Sequence, residues 1–115
     1  MKKKNSNTER HYVFNTHPLI QKHMDVSIGH ITKKDDDLLN VACKANTANP
    51  VVAYKYQYGY WVACGSNPDY LMPLKKHGYS KTFITILTRA QGLGCLYVQF
   101  DCDGIQYDDL KTFNW

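Results

Sequence analysis

Two runs of alternating residues that meet at a single glycine constrain the fold of this 115-residue chain more than any other feature. They extend from Val51 to Cys64 and are rich in valine, tyrosine and tryptophan, which favour β-strands. Two such runs around a short glycine-containing turn predict an antiparallel β-hairpin. With Tyr58 and Gly59 as the turn, Tyr56 would lie opposite Trp61.

The predicted hairpin carries most of its rings on one face. Strict alternation of side chains along a strand assigns five residues to that face: Val52, Tyr54, Tyr56, Trp61 and Ala63. If helices cover this face it forms the core, and if they do not it is open to a partner. Large aromatic side chains are usually buried, so we expect core, although the sequence leaves both arrangements open.

Helical spacing appears on both sides of the hairpin. Thr32 and Asp35 have the spacing of a capping box and predict a helix that ends before Asn49. Ser80 caps a second periodic segment, which ends at one of the glycines at positions 92 and 94. Two further apolar segments, 26–31 and 95–100, predict strands.

The predicted elements follow one another as strand, helix, hairpin, helix and strand. This order predicts a single small α+β domain over residues 11–115, with a βαββαβ-like antiparallel or mixed sheet and two helices on one face. A ferredoxin-like arrangement fits the same order.

Charge is unevenly distributed. The formal net charge is +4, but residues 1–10 hold four basic side chains and one acidic one. Residues 11–115 hold ten basic and nine acidic side chains, which is too little excess for a domain that binds nucleic acid through its net charge. We expect residues 1–10 to form a disordered basic tail, with a phosphate-contacting arm as the alternative.

Composition also limits where the protein acts. The four cysteines show no metal or redox spacing, no export signal begins the chain, and no apolar run approaches the ~20 residues of a membrane span. We therefore expect a cytoplasmic protein with reduced thiols and no contact with a membrane.

No pattern in the sequence predicts catalysis. The segment Phe100–Gly104 resembles the first motif of haloacid-dehalogenase phosphotransferases, but only eleven residues follow it and that family's later motifs are missing. Asp101 and Asp103 then form an acidic turn, with a hydrated Mg²⁺ or Ca²⁺ as the weaker alternative. The histidines lack zinc spacing, and His30 is expected to be a buried, hydrogen-bonded structural residue, with a catalytic base as the alternative. We expect no enzyme, cofactor or metal.

Several short motifs together resemble a small domain family encoded on plasmids, integrative elements and phages. They are Gly29–Thr32, Tyr56–Val62, Gly94–Gly104 and Phe113–Trp115, and the resemblance spans residues 25–115. Genes of this family often lie beside antirestriction genes. The resemblance implies an accessory protein of a mobile element, of antirestriction or anti-CRISPR type, in a bacterial host, and it brings no catalytic residues.

We therefore predict a non-enzymatic protein that binds and inhibits a host defence protein or ribonucleoprotein complex. Acids mixed with aromatic residues near the C-terminus, together with the hairpin turn, form the expected partner-binding set: Asp101, Asp103, Tyr107, Asp108, Asp109, Trp115, Tyr58 and Tyr60. The alternative is a nucleic-acid-binding factor that uses the aromatic hairpin and the basic tail. The sequence leaves the oligomeric state open.

Overall fold

A four-stranded mixed sheet forms the centre of the fold. The computed structural model describes residues 11–44 and 48–115, so the predicted tail at residues 1–10 lies outside the described residues. The strands are β1 (His23–Ser27), β2 (Ala53–Tyr56), β3 (Gly59–Ala63) and β4 (Tyr97–Asp101). The helices are α1 (Lys33–Ala42), the single turn α2 (Leu74–His77) and α3 (Lys81–Gly92). Two short 3-10 turns, Ile28–His30 and Pro68–Leu71, follow β1 and β3.

The strand order in the sheet is β1-β4-β3-β2. β1 runs parallel to β4, and the other two neighbouring pairs are antiparallel. The predicted α+β class with a mixed sheet is confirmed. The ferredoxin-like arrangement is wrong, because β3 and β4, which α3 connects, are adjacent and antiparallel, whereas a split βαβ unit places another strand between them.

The hairpin forms with a register different from the predicted one. Tyr56 pairs with Gly59 and Tyr54 pairs with Trp61, so the turn residues are Gln57 and Tyr58. This register differs from the predicted one by two residues. A shift of two preserves the alternation of side chains, so the five residues predicted to share a face still share it.

The core lies on the other face of the hairpin. Tyr60 and Val62 of β3 are fully buried together with Phe100 of β4, and the ring of Phe100 stacks on that of Phe83 in α3 at a centroid distance of 5.6 Å. Leu39 of α1 is buried in the same cluster. The expectation that the ring-bearing face forms the core is therefore wrong, because the helices cover the face with fewer aromatic residues.

Tyr60 consequently cannot belong to a partner-binding surface. Its ring is fully buried, and its hydroxyl donates a hydrogen bond to the carboxylate of Asp36 at 2.7 Å. The pKa of Tyr60 is strongly raised, mainly by burial and secondly by this hydrogen bond to Asp36. The sequence-based assignment of Tyr60 as a binding residue is wrong because this residue points to the helix side of β3.

A buried carboxylate joins the N-termini of the two long helices. Asp35 accepts hydrogen bonds from the backbone N–H of Thr32 at 2.9 Å, from that of Ser80 at 2.8 Å and from the Ser80 hydroxyl at 2.6 Å. The predicted capping box at Thr32 is confirmed, and so is the Ser80 cap, whose hydroxyl oxygen accepts from the N–H of Phe83. One side chain thus completes α1 and orients α3 against it.

The C-terminal strap, residues 104–115, packs against the end of β1 and the residues that follow it. The N–H of Ser27 donates to the carbonyl of Ile105 at 2.8 Å, and the N–H of Phe113 donates to the carbonyl of Gly29 at 2.8 Å. The anchor of the strap is His30, which is fully buried: the ring Nδ1 donates to the carbonyl of Lys111 at 2.6 Å, and Nε2 accepts from the N–H of Tyr107 at 2.9 Å. A carbonyl can only accept and an N–H can only donate, so these partners fix the neutral tautomer. The predicted buried, hydrogen-bonded histidine is confirmed, and both ring nitrogens are engaged within the fold.

Candidate binding face

Five rings from the four strands lie together on the sheet surface opposite the helices. We call this set the aromatic face: His23, Tyr54, Tyr56, Trp61 and Tyr97. The rings of His23 and Tyr97 both meet Trp61 edge to face, at centroid distances of 4.7 and 6.2 Å, and Tyr56 lies 6.3 Å from Trp61. These distances and tilts are the ones that aromatic pairs prefer. Trp61 is the centre of the array.

Strand pairing explains why the rings converge. His23 of β1 is paired with Tyr97 of β4, and Tyr97 is paired with Ala63, two residues beyond Trp61 on β3. Tyr54 of β2 pairs directly with Trp61. Residues that are opposite or diagonal on one sheet face are within reach of each other when their side chains are large.

The aromatic face is accessible to solvent. Tyr54 is 57% exposed, and Tyr58 in the hairpin turn is 51% exposed. Trp61, Tyr56 and Tyr97 are half-buried. A shallow groove of about 450 Å³ lies over Tyr54, Trp61 and Tyr97, and Gln21, Lys22 and His23 complete its lining. The rings can therefore contact a partner without any rearrangement of the sheet.

A hydrogen-bonded network fixes the end of the face near the hairpin turn. The hydroxyl of Tyr56 donates to the carboxylate of Asp101 and accepts from Nε2 of Gln99 at 2.9 Å. Tyr56 and Asp101 belong to β2 and β4, and both pair with Gly59 of the intervening strand. Because Gly59 has no side chain, the two groups can meet across β3.

This network shifts the acidity of both partners. The pKa of Tyr56 is raised to about 12, first by desolvation and second by its hydrogen bond to Asp101. The hydrogen bond from Tyr56 is also the larger cause that lowers the pKa of the Asp101 carboxyl, and the hydrogen bond from the N–H of Asp103 is the second. A carboxylate whose pKa is lower in the folded state stabilises that state above its unfolded pKa, and this contribution disappears as the pH falls through the folded pKa.

Replacing Tyr56 with phenylalanine should therefore raise the pKa of Asp101 towards its ordinary value, because the largest cause of the depression is removed. Stability in the acid range should then depend less on pH than it does in the original protein. The carboxyl ¹³C chemical shift of Asp101, followed by NMR during an acid titration, measures this. Tyr54→Phe is the matched control, and an equal titration midpoint in both variants would contradict the assignment.

Apart from Tyr60, which is buried in the core, the predicted partner-binding residues fall into two groups. Asp101 and Tyr58 border the aromatic face, where the ring of Tyr58 lies 6.2 Å from that of Tyr56, and Asp103 follows Asp101 in the turn after β4. The others, Tyr107, Asp108, Asp109 and Trp115, belong to the C-terminal strap. Strap and hairpin turn lie at different strands of the sheet, so the eight residues do not form one patch.

Two residues of the strap, Tyr107 and Trp115, make hydrogen bonds within the fold. The hydroxyl of Tyr107 donates to the carbonyl of Asp25 at 2.7 Å, and the indole N–H of Trp115 donates to the carbonyl of Ile31 at 2.9 Å. The Trp115 ring remains half-exposed, with the ammonium of Lys33 at 6.0 Å from its centroid. These contacts favour a structural role in attaching the strap.

The acidic turn after β4 has a local explanation. Potential ligand atoms of Asp101, Cys102 and Asp103 lie within 4.8 Å of one another, and no other described histidine, cysteine or carboxylate joins them. Asp101 already accepts hydrogen bonds from the Tyr56 hydroxyl and, at 2.7 Å, from the N–H of Asp103. This geometry is that of an Asx turn that ends a strand.

Sequence reasoning placed Tyr54, Tyr56 and Trp61 on one side of the hairpin but expected them in the core. It missed three other residues altogether: His23 and Tyr97 of the aromatic face, and Gln99, which donates a hydrogen bond to Tyr56. A signal was available for two of them, since Tyr97 and Gln99 alternate with the apolar residues of β4 and must face away from the core. His23 gave no such signal, because it precedes the predicted first strand and only the pairing of β1 with β4 brings it to Trp61.

The match to a family model covers most of the chain. The model is described as the C-terminal domain of a family of unknown function, DUF5983, and it matches residues 23–115. The chain belongs to the DUF5983 family. The match begins at the first residue of β1 and includes every strand and helix described above. No curated protein and no solved structure matches the chain.

A family match over residues 23–115 agrees with the expectation that residues 25–115 belong to one domain family. The mobile-element setting of that family stays a prediction. Because the function of the family is unknown, the match assigns no catalytic residue and no partner. Across residues 11–44 and 48–115, every helix is too short or too polar to cross a membrane.

Proposed function

We propose that this DUF5983 protein is a non-enzymatic binding module that holds a protein partner through the aromatic face. The observation that carries the proposal is the contiguous, solvent-accessible array of rings on the sheet face opposite the helices. Tryptophan and tyrosine are the residues that most often dominate binding energy at protein interfaces, especially near the centre of the buried area. Trp61 has this central position.

The charges around the rings support a protein partner over a nucleic acid. Asp101 lies at one end of the face, and Asp25 follows His23 on the same side of β1. Lys22 is the basic side chain among the residues that line the groove. A phosphate backbone laid across the rings would meet carboxylates, whereas a protein surface can place its own donors opposite them.

The partner we propose is a host defence complex in the bacterial cytoplasm, which the protein inhibits by occupying one of its surfaces. Support comes from the motif resemblance to a domain family of plasmids, integrative elements and phages. The aromatic face supplies the binding surface that such an inhibitor needs.

A second candidate is a single-strand nucleic-acid-binding factor. The specific observation in its favour is that exposed rings on a sheet can stack on bases, each stack being worth roughly 1–3 kcal/mol. Binding of this kind weakens steeply with salt because phosphate contacts release counterions. A salt titration with an oligothymidylate therefore separates the two candidates.

The variant Tyr54→Ala/Trp61→Ala should lose partner binding, because two rings of the face are removed without altering the buried side of the sheet. The bait is the tagged protein in an extract of its native host, and the captured partner is identified and purified. Titration calorimetry should then show at least a tenfold weaker affinity for the variant, which corresponds to a loss of about 1.4 kcal/mol or more.

Trp115→Ala is the matched control, since it removes an exposed indole from the strap rather than from the aromatic face. Equal affinity of the double variant and the original protein would place the binding surface elsewhere. If Trp115→Ala alone abolished binding, the C-terminal strap would be the interface. Loss of phage or plasmid escape in the double variant would connect the interface with inhibition of defence.

A further inference from the structure

Basic side chains are concentrated on the helix side of the domain. The segment Tyr70–Phe100 contains no aspartate or glutamate, yet it holds Lys75, Lys76, Lys81 and Arg89. Residues 11–115 as a whole are nearly neutral, so this positive region is balanced by acids elsewhere in the fold. Helices α2 and α3 carry these cations on the side of the sheet opposite the aromatic face.

Three of these cations border a single groove. Lys75, Lys81 and Arg89 line a cavity of about 700 Å³ between α2 and α3, which we call the basic groove. No carboxylate oxygen among the described residues lies within 4.0 Å of the charged nitrogens of Lys75, Lys81 or Arg89, so these cations form no ion pair with a described residue. Asp69, in the 3-10 turn before α2, is not part of its lining.

The floor of the basic groove is apolar. Leu71, Met72 and Ile84 line it together with the cations, and Met72 is 74% exposed. A flexible thioether that is exposed inside a groove is suited to contacting varied apolar side chains. Cations around an apolar floor would complement a ligand that carries both carboxylates and apolar groups.

We propose that the basic groove binds an acidic, partly apolar peptide segment of a protein, at a site separate from the aromatic face. Lys81 and Arg89 lie eight residues apart on α3, a separation of about 12 Å along the helix axis. Acidic residues four positions apart in an extended peptide are separated by about 13 Å, which matches this spacing. Apolar side chains between them would contact Met72 and Ile84.

The rings near the basic groove favour a peptide over a nucleic acid. Tyr79 is the aromatic residue in the lining, and it is buried and stacked on Phe83 at a centroid distance of 4.6 Å. Its face is therefore not free to stack on a base, as single-strand binding usually requires. The charges of the groove remain available to carboxylates.

Fluorescence anisotropy with three fluorescein-labelled probes tests the proposal. The first is a twelve-residue peptide with glutamates four positions apart and leucines between them, the second has glutamine in place of each glutamate, and the third is a twelve-nucleotide oligothymidylate. We expect the acidic peptide to bind. Lys81→Glu/Arg89→Glu should weaken its binding at least tenfold, and Met72→Ala should weaken it about threefold.

Two further variants serve as controls. Lys44→Glu reverses a charge in the turn after α1, at a residue that does not line the groove. Tyr54→Ala/Trp61→Ala alters only the aromatic face. Both variants should therefore bind the acidic peptide normally. Thermal unfolding verifies that every variant is folded. Normal peptide binding by the aromatic-face variant would also show that peptide binding at the basic groove does not depend on the aromatic face.

Several outcomes would overturn the proposal. Equal binding of the glutamine peptide would show that charge is not recognised, and unchanged binding by Lys81→Glu/Arg89→Glu would place the site elsewhere. Tighter, competing binding of the oligothymidylate would assign the groove to nucleic acid. Sedimentation equilibrium tests whether the protein self-associates. If it does, and if Lys81→Glu/Arg89→Glu abolishes the association, the occupant of the groove is a second copy of the chain.

Discussion

Replacing Gly59 with alanine is expected to destabilise the protein by more than about 3 kcal/mol, a large part of the stability of a small domain. A Cβ atom at Gly59 would lie 1.8 Å from the carbonyl oxygen of Phe100 and 2.8 Å from its carbonyl carbon. The obstacle is backbone, so a change of rotamer cannot relieve it. The beginning of β3 would have to move away from β4.

Separation of these strands would disturb the centre of the domain. β3 and β4 are the two inner strands of the sheet, and the fully buried Tyr60 and Phe100 are paired across them. The bond between Tyr56 and Asp101 also passes over Gly59. We therefore expect Gly59→Ala to lower the unfolding midpoint by at least 10 °C, at the ~4 °C per kcal/mol that is typical of small domains.

Gly92→Ala is the matched control for this substitution. Gly92 ends α3, and a Cβ built there meets no atom within 4 Å. Alanine at a helical position is favoured over glycine by up to about 1 kcal/mol, so this variant should be as stable as the original protein or slightly more stable. Similar melting temperatures for the two alanine variants would show that close contact at Gly59 does not constrain the sheet.

Replacing Asp35 with alanine is expected to have a comparable effect, a loss of about 3 kcal/mol or more in the free energy of unfolding. The carboxylate is fully buried and accepts three hydrogen bonds, two of them from the N-cap residue of α3. Hydrogen bonds to a charged group contribute about 1.5–3 kcal/mol each. Removing the carboxylate leaves the N–H groups of Thr32 and Ser80 without this partner in a partly buried position.

Urea denaturation measures this loss, and a neighbouring residue provides the control. Asp37 lies on the same helix, is exposed and pairs with Lys33, so Asp37→Ala should change stability by less than about 1 kcal/mol. Asp35→Asn should fall between the two because an amide keeps one acceptor. Faster hydrogen exchange at Ser80 in Asp35→Ala than in Asp37→Ala would locate the defect. Equal stability of the two alanine variants would contradict the role of Asp35.

Local sequence signals predicted the helices well because their causes are local. The Thr32–Asp35 capping box and the Ser80 cap depend on groups within three residues of one another, and both form as predicted. The second role of Asp35, as acceptor for Ser80, could not be predicted. It depends on two helix N-termini that meet in space although they are 45 residues apart.

The glycine of the hairpin shows a different limit. The sequence suggested that Gly59 supplies the turn, since glycine is the usual turn residue of a hairpin. In the structure Gly59 is the first residue of β3, and it is required because β4 approaches too closely for a side chain. That requirement comes from Phe100 of β4, 41 residues away in sequence, and no local pattern reveals it.

The sequence by itself determined which hairpin residues share a face, because side-chain alternation is a property of the strand and survives a shift of two in register. Only the tertiary structure decided which face the helices cover. Both faces carry large side chains, and the choice depends on where α1 and α3 pack and on how β4 enters between β1 and β3. That choice leaves the rings around Trp61 open to a partner and buries Tyr60.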